Sequence, residues 1–271
     1  MLFIVYIFFL FQEVSMLTLK GRTVVSVGLG AAGAMELMAE GMNVVMFTHS
    51  PDLQRAYEEE MGRTLGRDFV HEHLMVFGEG WVDKDDRCIL GLEESYKRFG
   101  SVDCVVAFTG GPGKIQSIEE ITVEDINTNV PYLTASAFNF TKHALPYLRQ
   151  SKAGRVVYFT TTEAQTGGMN SGMVDSIARG AVLSLTYNMA RRLAPDKITV
   201  NAISVGPFDK KMSSWTNEPN KPDPYQIVDQ VPLKRVATQQ DVAYALHYLL
   251  SEEADFITGQ VINLNGGLFM G

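Results

Sequence analysis

The 271-residue sequence predicts an α/β protein with a parallel β-sheet of about seven strands, covered by helices on both faces. Three observations support this fold class. Short apolar runs alternate with helical stretches from Thr23 onward. The apolar runs are hydrophobic on both faces, as the strands of a buried parallel sheet are. The alternation is unbroken and contains no internal repeat, so it leaves no position for a linker between two domains.

The predicted strands are TVVSVG (23–28), NVVMFT (43–48), HLMVF (73–77), DCVVAF (103–108), RVVYFTT (155–161), ITVNAIS (198–204) and QVINL (260–264). The predicted helices lie between them, at residues 31–40, 51–61, 84–98, 128–150, 173–194 and 239–251. The irregular segment at residues 205–226 is longer than an ordinary connecting loop, and loops of this length are often lids or binding loops. We therefore predict a single domain over residues 16–271.

The first 15 residues differ from the rest of the chain. The run MLFIVYIFFLF is apolar but too short to span a bilayer, and it lacks the basic segment and cleavage site of a signal peptide. A second methionine, Met16, precedes a pattern typical of a domain's first strand. We expect residues 1–15 to be an extension from a misassigned start codon. A membrane or partner anchor and a segment packed on the domain are the alternatives.

Composition argues against several classes of partner. A net charge of −8 disfavours nucleic acid and anionic membranes as partners. A membrane would be a partner only if residues 1–15 are a genuine anchor. Cys88 and Cys104 lack the spacing of a disulfide or metal site, which is typical of reduced thiols in a cytoplasmic protein. The sequence HEH at 71–73 supplies too few ligands for a metal, and we expect none.

The first predicted strand ends in a glycine-rich turn, GLGAAG. Gly28, Gly30 and Gly33 have the spacing G-x-G-x-x-G between a strand and a helix. Glycines at this turn let the backbone approach a pyrophosphate, whose charge is stabilised by the helix amino terminus. The sequence therefore predicts a dinucleotide site at the end of the first strand.

The end of the second strand bears on which dinucleotide binds. An acidic residue there binds the 2′-hydroxyl of NAD, whereas cationic groups accept the 2′-phosphate of NADP. Here Thr48 and His49 follow the strand, with Arg55 nearby and no carboxylate in the acidic position. This pattern favours NADP(H) over NAD(H). The alternative is that His49 is only a solvated loop residue.

From about Leu17 to Gly271 the chain resembles the short-chain dehydrogenase/reductase family. The strongest match is DVAYALHYLLSEEADFITGQVINLNGG (241–267), and PLKRVATQQDVA, GRVVYFTTT and ITVNAISVGP match in order and spacing. The resemblance implies a Rossmann-type doubly wound parallel sheet of about seven strands and a nicotinamide cofactor. It also implies an oxidoreductase acting on a small carbonyl or alcohol, and a homotetramer or homodimer.

The family's cofactor motifs are incomplete in this chain. Its Thr-Gly-x-x-x-Gly-x-Gly sequence appears as VGLGAAGA. Its Asn-Asn-Ala-Gly sequence appears as AFTG, which keeps only Gly110, and its Pro-Gly pair keeps only Gly206. The resemblance implies that Gly110 and Gly206 are cofactor-binding residues. Asn127 and Asn129 are candidates for the family's helix asparagine.

The family's catalytic residues are also replaced. Its serine becomes Thr161 or Thr162, which keep a hydroxyl. ARGAV overlays the family's Ser-Lys-Ala-Ala-Val, so Arg179 replaces the lysine and Asp175 replaces the tyrosine of the Tyr-x-x-x-Lys pair. The resemblance implies catalytic positions at Thr161, Asp175 and Arg179, with Arg179 also contacting the cofactor ribose.

This replacement changes the expected chemistry. In the family, the phenol gives a proton to the alkoxide formed by hydride transfer. Aspartate is ionised at neutral pH, and a neighbouring cation favours that form, so Asp175 suits a base or an anchor for a cationic group. We expect an oxidoreductase with an atypical site, in which Thr161 and Arg179 stabilise the reacting oxygen.

Three alternatives remain open from the residues alone. A non-redox enzyme of lyase or dehalogenase type would use Asp175 as a base. A catalytically silent subunit would bind the cofactor without turnover. In the third, Asp175 and Arg179 are only an i,i+4 ion pair on a helix surface, worth about 0.3–0.5 kcal/mol.

Overall fold

The computed structural model of this protein describes residues 19–28, 30–48, 51–78, 84–108, 116–167, 172–209 and 224–271. Within them, seven parallel strands form a single sheet in the order β3-β2-β1-β4-β5-β6-β7. The predicted doubly wound α/β fold is confirmed. The predictions for residues 1–15, His49, Gly110 and most of the 205–226 segment concern residues outside this description.

The strands are β1 (Thr23–Val27), β2 (Asn43–Phe47), β3 (Leu74–Phe77), β4 (Cys104–Ala107), β5 (Arg155–Thr161), β6 (Thr199–Val205) and β7 (Val261–Leu264). The α-helices are α1 (Gly30–Ala39), α2 (Pro51–Leu65), α3 (Arg67–His73), α4 (Asp85–Phe99), α5 (Val123–Leu148), α6 (Glu163–Thr166), α7 (Met173–Leu193) and α8 (Gln239–Leu250). Short 3₁₀ helices span Ala194–Asp196, Pro224–Gln230 and Glu252–Ala254. Each predicted strand is present, with ends shifted by at most one residue.

The helices differ from the prediction in four places, one of which is α2, which ends at Leu65 rather than at residue 61. The sequence pattern missed α3 and the one-turn helix α6. Helix α5 begins five residues earlier than predicted, because Thr122 and Asp125 form a reciprocal capping box at its amino terminus. As predicted, helix α5 continues through Pro131, a residue that usually marks a helix end.

The sheet is buried on both faces, as the apolar pattern of its strands predicted. Val24 and Phe159 face the layer that includes α1 and α8, whereas Val25 and Tyr158 face the layer of α4, α5 and α7. All four side chains are at most 1% exposed. Burying side chains of this size stabilises the fold by about 1.5–3 kcal/mol each. The adjacent residues Tyr158 and Phe159 therefore stabilise opposite layers of one domain.

The strand order positions the candidate site. From β1 the chain adds strands toward β3 on one side, and from β4 it adds strands toward β7 on the other. The crevice outside the carboxyl ends of β1 and β4 is therefore the topological switch point, where such sheets bind ligands. Within the parts of the chain that the structure describes, none of the helices combines the length and apolarity that a bilayer crossing requires.

Candidate active site

Strands β1 and β4 approach each other closely at the switch point. The Phe108 amide donates a hydrogen bond to the Val27 carbonyl at 2.8 Å, directly before Gly28. Gly28 has a φ of 76°, and a Cβ there would lie 1.9 Å from the Phe108 carbonyl oxygen. Glycine is therefore required at this turn. Helix α1 begins at Gly30, so its amino terminus follows the turn within two residues.

Two other predicted cofactor glycines, Gly33 and Gly206, are closely surrounded by protein. Gly33 is buried within α1. Gly206 follows β6, and its amide donates to the Leu264 carbonyl at 3.0 Å. A Cβ at Gly206 would lie 2.7 Å from Cβ of Asn265, so the turns after β6 and β7 pack tightly. Glycine at Gly28 and at Gly206 therefore lets neighbouring segments at this edge of the sheet approach more closely than a side chain would allow.

Thr48 lies at the end of β2, where the sequence predicts the cofactor ribose. The residue is buried, and its amide donates to the Phe77 carbonyl at 2.9 Å. The side chain of Arg55 on α2 is 72% exposed and pairs with Asp52. A 2′-phosphate would therefore compete with Asp52 for this cation.

Asp175 and Arg179 lie one turn apart near the amino terminus of α7. Their side chains are only 13% and 6% exposed, which removes the alternative of a solvent-exposed surface pair. Arg179 Nε lies 3.5 Å from Asp175 Oδ1, within ion-pair range but beyond a good hydrogen bond. The guanidinium carbon lies 5.9 Å from the centre of the Phe108 ring. Arg179 therefore reaches the carboxyl end of β4.

Several buried polar atoms near the carboxyl end of β5 have no partner among the described residues. They are Nε and Nη1 of Arg179 and the hydroxyl oxygens of Thr161 and Thr162. A buried donor or acceptor that stays unpaired costs about 1–3 kcal/mol. This group can be satisfied by a ligand whose oxygen atoms accept hydrogen bonds and whose hydroxyls donate them.

The remaining candidates do not join this group. The Tyr158 hydroxyl lies 2.7 Å from Thr141 Oγ1 in the core, and burial raises the pKa of Tyr158, so it cannot replace the family's proton donor. Asn127 is exposed, and Asn129 donates to the Asp125 carbonyl of its own helix at 2.8 Å. Across the described segments, no three His, Cys, Asp or Glu side chains lie close enough to hold a metal ion.

The structure thus brings Thr161, Arg179 and Asp175 to the same edge of the sheet as the Gly28 turn. Sequence reasoning missed Phe108, whose ring approaches Arg179, because the residue extends an apolar strand and has the pattern of core. It also missed Gln165 of α6, which belongs to no recognisable motif and whose Nε2 lies 2.7 Å from both Ser204 Oγ and Asn263 Oδ1. In both cases only tertiary contacts show the role of the side chain.

Comparison with known proteins identifies the family. Residues 24–269 match the sequence profile described as Enoyl-(Acyl carrier protein) reductase. The 3-oxoacyl-[acyl-carrier-protein] reductase FabG of Staphylococcus epidermidis is 30% identical over 248 residues, covering 90% of this chain and 95% of that protein. The uncharacterized oxidoreductase YmfI of Bacillus subtilis is 27% identical over 243 residues, covering 89% and 94% of the two chains.

Solved structures show the same fold at lower identity. A 3-ketoacyl-(acyl-carrier-protein) reductase from Brucella melitensis, complexed with NADH, has a TM-score of 0.79 at 21% identity, covering 93% of this chain and 100% of that one. A short-chain oxidoreductase from Pseudomonas aeruginosa PAO1 containing an atypical catalytic center has a TM-score of 0.78 at 21% identity, covering 92% and 98%. The profile, the curated relatives and the fold agree. This chain belongs to the short-chain dehydrogenase/reductase family of nicotinamide-dependent oxidoreductases.

Proposed function

We propose that this protein is an NADP(H)-preferring oxidoreductase that interconverts a small carbonyl compound and its alcohol, with Arg179 and Thr161 as the residues that bind the reacting oxygen. One observation carries the proposal. Two nitrogens of the buried Arg179 guanidinium, Nε and Nη1, and the buried Thr161 hydroxyl have no hydrogen-bond partner among the described residues, and they occur at the edge of the sheet where the family's catalytic residues fall. Such donors stabilise negative charge on a carbonyl oxygen.

The residues present fit a nicotinamide dinucleotide. The Gly28 turn excludes a side chain and precedes the amino terminus of α1, which suits the pyrophosphate. We assign Gly30 and Gly33 to the same cofactor by the G-x-G-x-x-G spacing, and Gly110 and Gly206 by their positions in the family's motifs.

Two further features bear on the ends of the cofactor. Thr48 and His49 replace the acidic residue that selects NAD(H), and this supports NADP(H). At the other end of the cofactor, we assign to Arg179 a hydrogen bond to the ribose next to the nicotinamide. When bound, the nicotinamide ring supplies or accepts the hydride.

Three residues of the chain have separate roles at the reacting oxygen. Arg179 and Thr161 donate hydrogen bonds to the oxygen, whose negative charge grows as the carbonyl is reduced. Asp175 compensates the charge of the buried Arg179 and orients its guanidinium. Asp175 lacks the phenol with which the family protonates the alkoxide, so we assign that proton to water.

The relatives guide the choice of substrate. Several are named 3-oxoacyl-[acyl-carrier-protein] reductases, so a 3-oxoacyl thioester belongs among the carbonyl compounds tested. We also assign the protein to the cytoplasm, as its composition predicts. A lyase or dehalogenase-like reaction at Asp175 would instead proceed without either dinucleotide.

We further propose a homodimer or homotetramer. Phe256, Leu233 and Tyr244 are 99%, 66% and 65% exposed, and they lie on the segments around α8 and β7. Large exposed apolar side chains of this kind favour an interface between protein chains. Light scattering of the purified protein is expected to give two or four times the 30.0 kDa mass of the chain. A monomer at micromolar concentration would contradict this proposal.

Titration with NADPH and NADH tests the proposed function. We expect both to raise the melting temperature, with NADPH binding more tightly because Thr48 and His49 stand where an NAD-selecting carboxylate would lie. At about 100 times Kd, binding stabilises the folded state by about 2.7 kcal/mol, which is a readily measured thermal shift. The two cofactors differ only in the 2′-phosphate, so each serves as the control for the other.

Each result has a distinct meaning. A melting temperature unchanged by either dinucleotide would remove the oxidoreductase proposal. Tighter binding of NADH would contradict the roles of Thr48 and His49. Cofactor binding without turnover of any ketone, aldehyde or 3-oxoacyl thioester would favour the silent subunit.

A further inference from the structure

A row of polar side chains crosses the sheet near the carboxyl ends of its last three strands. Thr160 of β5 pairs with Ser204 of β6, which in turn pairs with Asn263 of β7. Because directly paired residues share a face of the sheet, all three side chains lie on the face covered by α5 and α7. Thr160 and Ser204 are 0% exposed. Buried hydroxyls require hydrogen-bond partners, so the partners of these side chains show which elements the row connects.

Gln165 of α6 is the partner of two members of the row. Its Nε2 lies 2.7 Å from Ser204 Oγ and 2.7 Å from Asn263 Oδ1. A single amide thereby joins α6 to two neighbouring strands. The third member, Thr160, donates from its hydroxyl to the Arg179 carbonyl at 3.1 Å. The segment after Thr161 and the helix that carries Arg179 are therefore both attached to one polar row.

Helix α6 depends on outside contacts because it is a single turn of four residues. Isolated helices of this length are unstable in water. The Thr162 amide donates to the Val205 carbonyl at 3.0 Å, which attaches the start of the turn, and α6 packs against α7. Beyond that start, the Gln165 amide attaches α6 to β6 and β7.

We propose that Gln165 is a positioning residue that holds α6 against β6 and β7 and thereby keeps the Thr161 hydroxyl aligned with the Arg179 guanidinium. The inference rests on the proposed function, in which these two groups bind the reacting oxygen. Loss of the Gln165 amide would loosen α6 while leaving the Gly28 turn, at the other side of the site, in place. The expected defect therefore lies in catalysis rather than in cofactor binding.

The Gln165→Met variant tests this inference because methionine keeps the length of the side chain and removes both hydrogen bonds. We expect kcat for carbonyl reduction to fall about 10- to 100-fold, since small misplacements of catalytic groups have effects of this size. We expect Kd for NADPH to change less than about threefold, since the Gly28 turn is preserved. Ser204→Ala removes one of the two bonds and is expected to give a smaller decrease in kcat. Gln150→Met is the control, because Gln150 is exposed and its side chain bonds only the nearby Pro146 carbonyl among its described contacts.

Hydrogen exchange of the cofactor-free protein supplies a readout that does not depend on activity. The Gly167 amide donates to the Glu163 carbonyl at 2.9 Å and reports on α6. In Gln165→Met we expect this amide to exchange at least about tenfold faster, with unchanged exchange in β1 and α8. Gln150→Met is expected to leave all three regions unchanged.

The outcomes separate this proposal from the proposed function. Unchanged exchange at Gly167, or an unchanged kcat in Gln165→Met beside an active natural protein, would overturn the role of Gln165 alone. A parallel loss of kcat, NADPH affinity and melting temperature would also overturn it, because that pattern indicates general damage to the fold. A natural protein that binds neither dinucleotide would overturn the proposed function, and faster exchange in the variant would then leave Gln165 as a structural anchor only.

Discussion

The double variant Asp175→Tyr, Arg179→Lys is expected to reduce a small ketone about 10 to 1000 times faster than the natural chain. The tyrosine supplies a phenol that is protonated at neutral pH, and the lysine beside it lowers the pKa of that phenol. The natural Asp175 supplies no such phenol. Asp175→Tyr alone is expected to give part of the gain, since it supplies the donor without the matched cation.

Steady-state rates with saturating NADPH measure this effect. Arg191→Lys is a matched control, because Arg191 is exposed on the same helix and the substitution is expected to leave the rate unchanged. Asp175→Asn distinguishes a working base from a positioning group: a base would lose all activity on substitution, with cofactor affinity retained. Equal rates in the natural chain and in every Asp175 and Arg179 variant would mean that these positions take no part in the chemistry.

Replacing Gly28 with alanine is expected to destabilise the protein by about 3 kcal/mol or more. Two costs add at this position. An alanine with positive φ costs about 1–2 kcal/mol, and the φ of Gly28 is 76°. The new Cβ would also lie 1.9 Å from the Phe108 carbonyl oxygen, which the β1–β4 pairing holds in place. The variant should therefore also lose cofactor affinity, because β1 and β4 must separate at the switch point.

Gly21 offers a matched control for the Gly28 substitution. Its φ is 79°, but a Cβ there meets nothing within 4 Å. Gly21→Ala is therefore expected to show only the backbone cost, and the difference between the two variants measures the overlap with Phe108. Urea unfolding gives both free energies. Similar losses in the two variants would show that the approach of Phe108 to Gly28 does not constrain the turn.

The sequence by itself determined the fold and its order of elements. Seven apolar runs, hydrophobic on both faces and separated by helical stretches, can be buried only as a parallel sheet between two helical layers. The same local signals placed Gly28 and Gly30 at a strand–helix turn and put Asp175 and Arg179 on one face of a helix. Spacing along a strand or helix is a local property, so a pattern within one segment is enough to predict it.

Local patterns failed where distant segments decide the structure. Helix α6 has four residues, too few for any periodicity, and it exists through contacts with β6, β7 and α7. Its anchor, Gln165, has no sequence signal because its partners lie 39 and 98 residues further along the chain.

The tertiary structure alone decided the environment of Asp175 and Arg179. Their i,i+4 spacing is equally compatible with a surface pair and with a buried one. Packing of α7 on β5, together with the approach of Phe108 from β4, leaves the Arg179 side chain 6% exposed. In water this pair would contribute little, whereas in its buried position Nε and Nη1 of Arg179 have no hydrogen-bond partner among the described residues and can donate to the oxygen of a ligand. The sequence determined which residues share the helix face; burial by segments distant in the chain made that face a candidate active site.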